Sequence, residues 1–198
     1  VIARQDGKEI LTGSMSFQVE EPGFDHQVPM PEVSSFDKLK SEHTYALMLK
    51  QYIPENRREK FTRDRPIEIR PIDPVNPLKP EPKDPQKQAW FRAQGDLPDA
   101  PVLHRCLLAY SSDFGLLGTS LHPHGVSFMN KGMQVASLDH SIWFHRDFRM
   151  DDWLLYDKDS PSASGGRGFN RGNIFNREGV LVASTCQEAL IRQRSAKS

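Results

Sequence analysis

Two cysteines in 198 residues, no net charge and no long apolar run: these shortages exclude several classes of protein at once. Cys106 and Cys186 are far apart and sit in apolar patterns, so they read as buried, reduced thiols, with a disulfide between them the lesser option. The absence of C-x-x-C removes a zinc knuckle and a thioredoxin-type motif. The 26 basic and 26 acidic residues cancel, and nothing in that balance favours nucleic acid or an anionic membrane surface. No segment approaches the ~18 apolar residues of a membrane span. VIARQDGKEILTG has no initiator Met, no charged leader and no apolar leader core, so the chain is expected to be a fragment or a truncated product. The terminal SAKS is not an S-K-L address. What is present suffices for a core: 37% of residues are apolar, with 11 Phe and 3 Trp.

The chain begins as strand, turn, strand, with VIARQ and ILTGSMSFQV flanking an Asp-Gly turn. A Pro-rich connection follows. Ser35 can cap a helix from Phe36 to about Ile53, which PENRREKFTRDRP then breaks. PIEIRPID reads as an edge strand because of its prolines. In KQAWFRAQG, Ala89, Phe91 and Ala93 share one face. VLHRCLLAYSSDFGLLG is helical: Leu103, Cys106, Leu107, Tyr110, Phe114 and Leu117 recur at steps of three and four. HPHG is a turn. Then come MQVASLDHSIWFH, two runs joined by SPSASGGRG, and VLVASTCQEALIRQ after a tight Glu178-Gly179 turn. This order is α+β: one antiparallel sheet wrapped round one helix that is apolar almost all round.

On that helix Asp113 is out of place. It can be the N-cap of a short helix starting at Phe114. It can also be a general base, because a carboxylate in a poorly hydrated site keeps a raised pKa unless it accepts hydrogen bonds. Ser137 and Gln187 are lone polar residues on apolar strand faces. An unpaired buried amide costs about 1–3 kcal/mol, so each needs a partner. A neighbouring strand can supply it, or both residues can meet Asp113 and hold one water. His122, His124, His140 and His145 cluster in sequence beside Asp139 and Asp147. A structural role outweighs a metal site here, because HPH is a turn and His140 and His145 differ in parity along a strand. The Ser/Gly-rich stretch with Arg167 and Arg171 lacks a P-loop pattern. It reads as a sharp bend, as a rim for a phosphate-bearing ligand, or as both. No G-x-S-x-G or spaced Cys–His pair points to a covalent hydrolase.

The segment SLDHSIWFHRDFRMDDWLLYDKDSPSASGGRGFNRGNIFNREGVLVASTCQEALIR closely resembles the C-terminal part of acyl-CoA thioesterase II. RPIEIRPIDPVNPL, WFRAQGDLP, LLAYSSDFGLLGTSLHPHG and GKEILTGSMSFQ match in order and spacing, so the likeness covers essentially the whole chain. It implies a double hotdog fold, each unit a long helix wrapped by an antiparallel sheet. On that basis residues 1–35 are the last hairpin and connection of the first hotdog, 36–62 a linker helix, and 63–198 the second hotdog. The implied reaction is hydrolysis of fatty acyl-CoA to free acid and CoA, with no cofactor, no metal and no acyl-enzyme. The catalytic positions land on Asp113, Ser137 and Gln187, and an oxyanion donor is expected from a backbone N–H near Gly115 or from a neighbouring strand. A fragment of this kind can keep those positions yet lack a wall of the acyl tunnel. In that case a non-catalytic acyl-CoA-binding or assembly module is the alternative. An enoyl-CoA hydratase of the same fold fits less well, since that chemistry wants a His with an Asp, or a Glu, at the helix. The resemblance further implies an acyl-CoA substrate, a homo-oligomer, and a cytoplasmic setting with a peroxisomal one as the alternative.

Overall fold

A computed structural model describes residues 1–194; the terminal SAKS lies outside the described residues. Strands β1 (Ile2–Gln5) and β2 (Lys8–Thr12) form a separate antiparallel hairpin. Asp6 and Gly7 both carry positive φ, the conformation a two-residue hairpin turn with matching twist requires. The second strand stops at Thr12 rather than running on to Val19. Residues 13–35 are irregular and mostly exposed, consistent with their prolines and polar side chains.

The expected helix from Phe36 to Ile53 is not continuous. A 3-10 turn at Phe36–Lys38 ends in an extended Leu39, then α1 spans Glu42–Met48 and another 3-10 turn Lys50–Tyr52. Packing explains the break. Phe36 stacks on Trp153 at 4.9 Å and meets Trp90 edge-on at 5.6 Å, while its carbonyl accepts from Arg70 at 2.9 Å. A regular helix could not also bring Leu39 to that cluster, where Trp90, Trp153, Leu155 and Phe175 are buried. The cap moves accordingly: Ser41, not Ser35, accepts the Thr44 N–H at 3.1 Å. Pro54 does not end the helical region either. It stands at the N-cap of α2 (Glu55–Thr62), where the missing N–H does no harm.

The main sheet has seven antiparallel strands: β3 (Ile67–Pro71), β4 (Gln86–Ala93), β5 (Met133–Ser137), β6 (Ser141–Phe144), β7 (Leu154–Ser164), β8 (Arg167–Phe175) and β9 (Leu181–Gln193). Their order is β3-β4-β7-β8-β9-β5, with β6 also on β9. β3 is at an edge, as its prolines predict. The inner face closes on α3 (Pro101–Ser111) with Phe91, Leu154, Tyr156, Ile174 and Ala183 against Leu108 and Leu116. Gly172 is obligatory in this packing, because a Cβ there would occupy the space of the Tyr156 ring. The linker covers part of the outer face.

α3 is not apolar and buried all round. His104, Leu108 and Ser111 face the sheet, whereas Val102 (71%) and Tyr110 (58%) are open to solvent. Cys106 is exposed and free, and Cys186 is half-buried and free. The buried stripe is therefore displaced from the one traced by Leu103, Cys106 and Tyr110. The sheet wraps only one side of the helix, so apolar periodicity alone could not say which side.

Candidate active site

Three elements bring the site together. β9 is embedded between β8 and the β5–β6 edge, and its alternation turns Ala183, Thr185, Gln187 and Ala189 inward. Gln187 is fully buried. β5 pairs with β9 so that Ser137 lies opposite Ala189, one step along the same face. α3 ends at Ser111, and Asp113 is in the turn that follows.

Asp113 does not cap a helix from Phe114. The chain turns through residues 113–116, with Phe114 N–H on the Ser111 carbonyl and Leu116 N–H on that of Asp113, before a 3-10 segment at Leu117–His124. The side chain is thus free to face the strands. Its Oδ1 accepts from Gln187 Nε2 at 2.5 Å and from Ser137 Oγ at 3.2 Å. Among the described residues Oδ2 has no hydrogen-bond partner. Both Asp113 and Ser137 are exposed, so the carboxylate is not in the dry enclosure that its helix suggested. Charge-assisted bonds on one oxygen fix the carboxylate plane and leave the other oxygen to water.

His140 adds a fourth group that sequence reasoning set aside. The expected single strand MQVASLDHSIWFH is broken at Leu138–His140. There the Asp139 carboxylate replaces a strand partner by accepting the Glu188 N–H at 2.8 Å. The break turns His140 inward. Its Nε2 is 2.7 Å from Ser112 Oγ and its Nδ1 is 3.3 Å from Gln187 Nε2. More than a third of the residue's surface is open, yet both ring nitrogens face protein. Their burial pushes the imidazole below its usual range, opposed by the Asp113 and Asp139 charges. His145 points to the other face, where its ring meets Ser184 Oγ at 3.0 Å. The signal that could have found His140 is the lapse of alternation at Leu138–Asp139.

The remaining candidates do not join this cluster. Arg167 pairs with Glu188 and Arg171 with Asp159, each at 2.5 Å, on the outer face of the sheet. Gly115 is two residues from Asp113, in the left-handed region at φ +70, with Lys87 Nζ 3.0 Å from where a Cβ would stand. Among the described residues its N–H meets no backbone acceptor, so it is a free donor close to the carboxylate. No group of three or more His, Cys, Asp or Glu side chains among the described residues could hold a metal. No described helix is long and apolar enough to cross a membrane.

The arrangement can deprotonate water. A carboxylate held by an amide and a hydroxyl presents one oxygen to solvent, beside a free backbone donor. This is the equipment for general-base hydrolysis of an activated acyl group. A family model described as acyl-CoA thioesterase matches residues 56–190. Acyl-CoA thioesterase 2 of Haemophilus influenzae is 42% identical over 192 residues, covering 97% of this chain and 67% of the relative. Acyl-coenzyme A thioesterase 8 of Homo sapiens is 36% identical over 203 residues, covering 97% of this chain and 62% of the relative. Among solved structures, an acyl-CoA thioesterase II, TesB2, from Mycobacterium marinum superposes with a TM-score of 0.69 at 40% identity, over 90% of this chain and 61% of that one. A hot dog fold protein from Alicyclobacillus acidocaldarius, at 15% identity and a TM-score of 0.60 over 89% of this chain and 59% of that one, supports the fold alone. The chain thus spans about three fifths to two thirds of the length of the relatives it matches.

Proposed function

The chain belongs to the acyl-CoA thioesterase family and has its hotdog fold, and from that premise we propose that it hydrolyses fatty acyl-CoA to the free acid and CoA by direct attack of water. The observation that carries the reading is the convergence of Gln187 and Ser137 on one oxygen of Asp113, which leaves the other oxygen open. Water bound at Asp113 Oδ2 gives its proton to the carboxylate as its oxygen attacks the thioester carbonyl. The negative charge that forms on the carbonyl oxygen takes the Gly115 N–H. The C–S bond then breaks, and the thiolate leaves with the proton returned by Asp113. A thiolate is a good leaving group, so the weak acid suffices.

The same reading takes residues 1–35 as the closing hairpin and connection of a preceding hotdog, 36–62 as a linker and 63–198 as the second hotdog. It includes a homo-oligomer. Val102, Tyr110, Leu138, Trp143 and Phe144 expose apolar surface on the outer side of α3 and along the β5–β6 edge, a surface suited to association. An exposed free thiol at Cys106 fits a reducing compartment such as the cytoplasm. The test is thiol release from octanoyl-CoA by the whole protein. Release that Asp113→Asn abolishes supports the reading, while wild-type protein that binds the ester without releasing thiol refutes it. Hydration of crotonyl-CoA without thiol release would point to a hydratase instead.

A further inference from the structure

Gln187 can face Asp113 usefully in one orientation only. Its nitrogen donates to the carboxylate; its carbonyl oxygen would repel it. Yet Oε1 is buried without a partner, so nothing on the oxygen side selects that orientation. The carboxylate favours it from one side, and His140 adds the selection from the other. Ser112 Oγ donates its one proton to the Ala109 carbonyl at 2.9 Å. It must then accept at 2.7 Å from His140 Nε2, which fixes the ring proton on that nitrogen. Nδ1 is left bare, and it accepts from Gln187 Nε2 at 3.3 Å. The Ser112 backbone is itself anchored, because its carbonyl accepts from Tyr156 Oη at 2.7 Å.

We propose that His140 is a positioning residue: its neutral ring, protonated on Nε2, holds the Gln187 amide nitrogen on Asp113. The inference rests on the hydrolase reading. It extends that reading to a residue that acts through Gln187 rather than on the water. With the proton on Nδ1, or on both nitrogens, the ring would call for the amide oxygen instead. The ring and the carboxylate would then make opposite demands on one amide, and its bond to Asp113 would be strained. Acid therefore weakens the hold of Gln187 on Asp113. The charges facing the ring are Asp113 from the turn after α3 and Asp139 from its own loop. On β9 the Glu188 side chain is turned outward to Arg167.

Two measurements on the whole protein test this. The nitrogen shifts of labelled His140, read well above its titration range, should show Nε2 protonated and Nδ1 bare; the reverse tautomer overturns the proposal. In octanoyl-CoA hydrolysis, His140→Leu should lower kcat by about 10- to 100-fold with KM nearly unchanged. His140→Asn, whose side-chain oxygen can accept from Gln187, should recover most of that loss and flatten the acid limb above the carboxylate range. A His140→Leu variant with wild-type kcat, or a His140→Asn variant as impaired as His140→Leu, overturns it. Should wild-type protein release no thiol, the hydrolase reading fails by itself, and the tautomer measurement still decides the role of His140.

Discussion

Two of the polar groupings on the inner face of the sheet are treated in opposite ways. At β9 and its turn, Asp113, Gln187, Ser137, His140 and Ser112 bond to one another, and every donor among them has an acceptor. Across the sheet, Lys158 on β7 lies opposite Lys87 on β4, two like charges side by side. Lys158 is 3% exposed. Its ammonium rests over the Tyr156 ring at 3.9 Å, and no carboxylate among the described residues is within ion-pair distance. Burial, and then the Lys87 charge, push its amine down to about 7. A cluster whose donors are all paired holds its geometry, whereas a buried pair of like charges is a cost that the rest of the fold carries.

The largest effect that would break this contrast is at Asp113. Asp113→Asn keeps the shape and the bonds to a carbonyl-like oxygen but removes the carboxylate proposed as the base. A fall in kcat of about 10³-fold is expected, with little change in melting temperature, since the residue is exposed. Retained turnover would demote the β9 cluster to a structural network. Gln187→Leu comes next. It removes the 2.5 Å bond and the acceptor's partner at His140, and about a 10²-fold loss of kcat is expected. Because Gln187 is buried with an unpaired Oε1, the leucine should leave stability nearly unchanged. A variant that unfolds instead would show the amide to be part of the scaffold.

How far the sequence told these residues apart is clear from particular cases. Gln187 was legible because β9 is long and alternates from Ala183 to Ala189, so one amide among Ala183, Thr185 and Ala189 stands out. Asp113 was legible as an anomaly, but its exposure was not. The side of α3 that the sheet leaves open is as apolar as the side it covers, and Cys106 falls on the open one. The helix assigned to 36–53 failed because Phe36 and Leu39 are claimed by Trp90 of β4 and by Trp153 just before β7, a demand no local propensity expresses. His140 was legible only through the lapse of alternation at Leu138–Asp139, because its direction depends on a strand break that Asp139 seals against Glu188 of β9. Lys158 gave no signal at all, since a lysine between Asp157 and Asp159 reads as solvated.

Smaller in size, and opposite in sign, is the effect expected at the lysine pair. Lys158 has a folded-state pKa of about 7, below its ordinary 10.5. Between those values the unfolded chain binds a proton that the folded chain does not, so stability rises with pH across that window. Below the window the buried amine must be charged, and its cost is then complete. Lys158→Met should therefore raise stability at mildly acidic pH by on the order of 2 kcal/mol and remove the pH slope, as denaturant titrations would show. An unchanged slope would mean that the charge is compensated in solution, and the contrast with the β9 cluster would vanish.

The smallest effect is expected at Ser137, where the contrast can be sharpened within the cluster itself. Its bond to Asp113 Oδ1 is 3.2 Å against 2.5 Å for Gln187, and the residue is exposed where Gln187 is sealed. A solvent molecule can take the place of an exposed hydroxyl and donate to the same oxygen at little cost, an exchange unavailable at the buried amide. Ser137→Ala should accordingly lower kcat by only about 3- to 10-fold, and Ser137→Thr, which keeps the hydroxyl, should be close to wild type. Steady-state kinetics on octanoyl-CoA decide it. A loss at Ser137→Ala as deep as that of Gln187→Leu would mean the hydroxyl does more than steady the carboxylate. It would then have to contact the attacking water directly, and burial would no longer rank the members of the site.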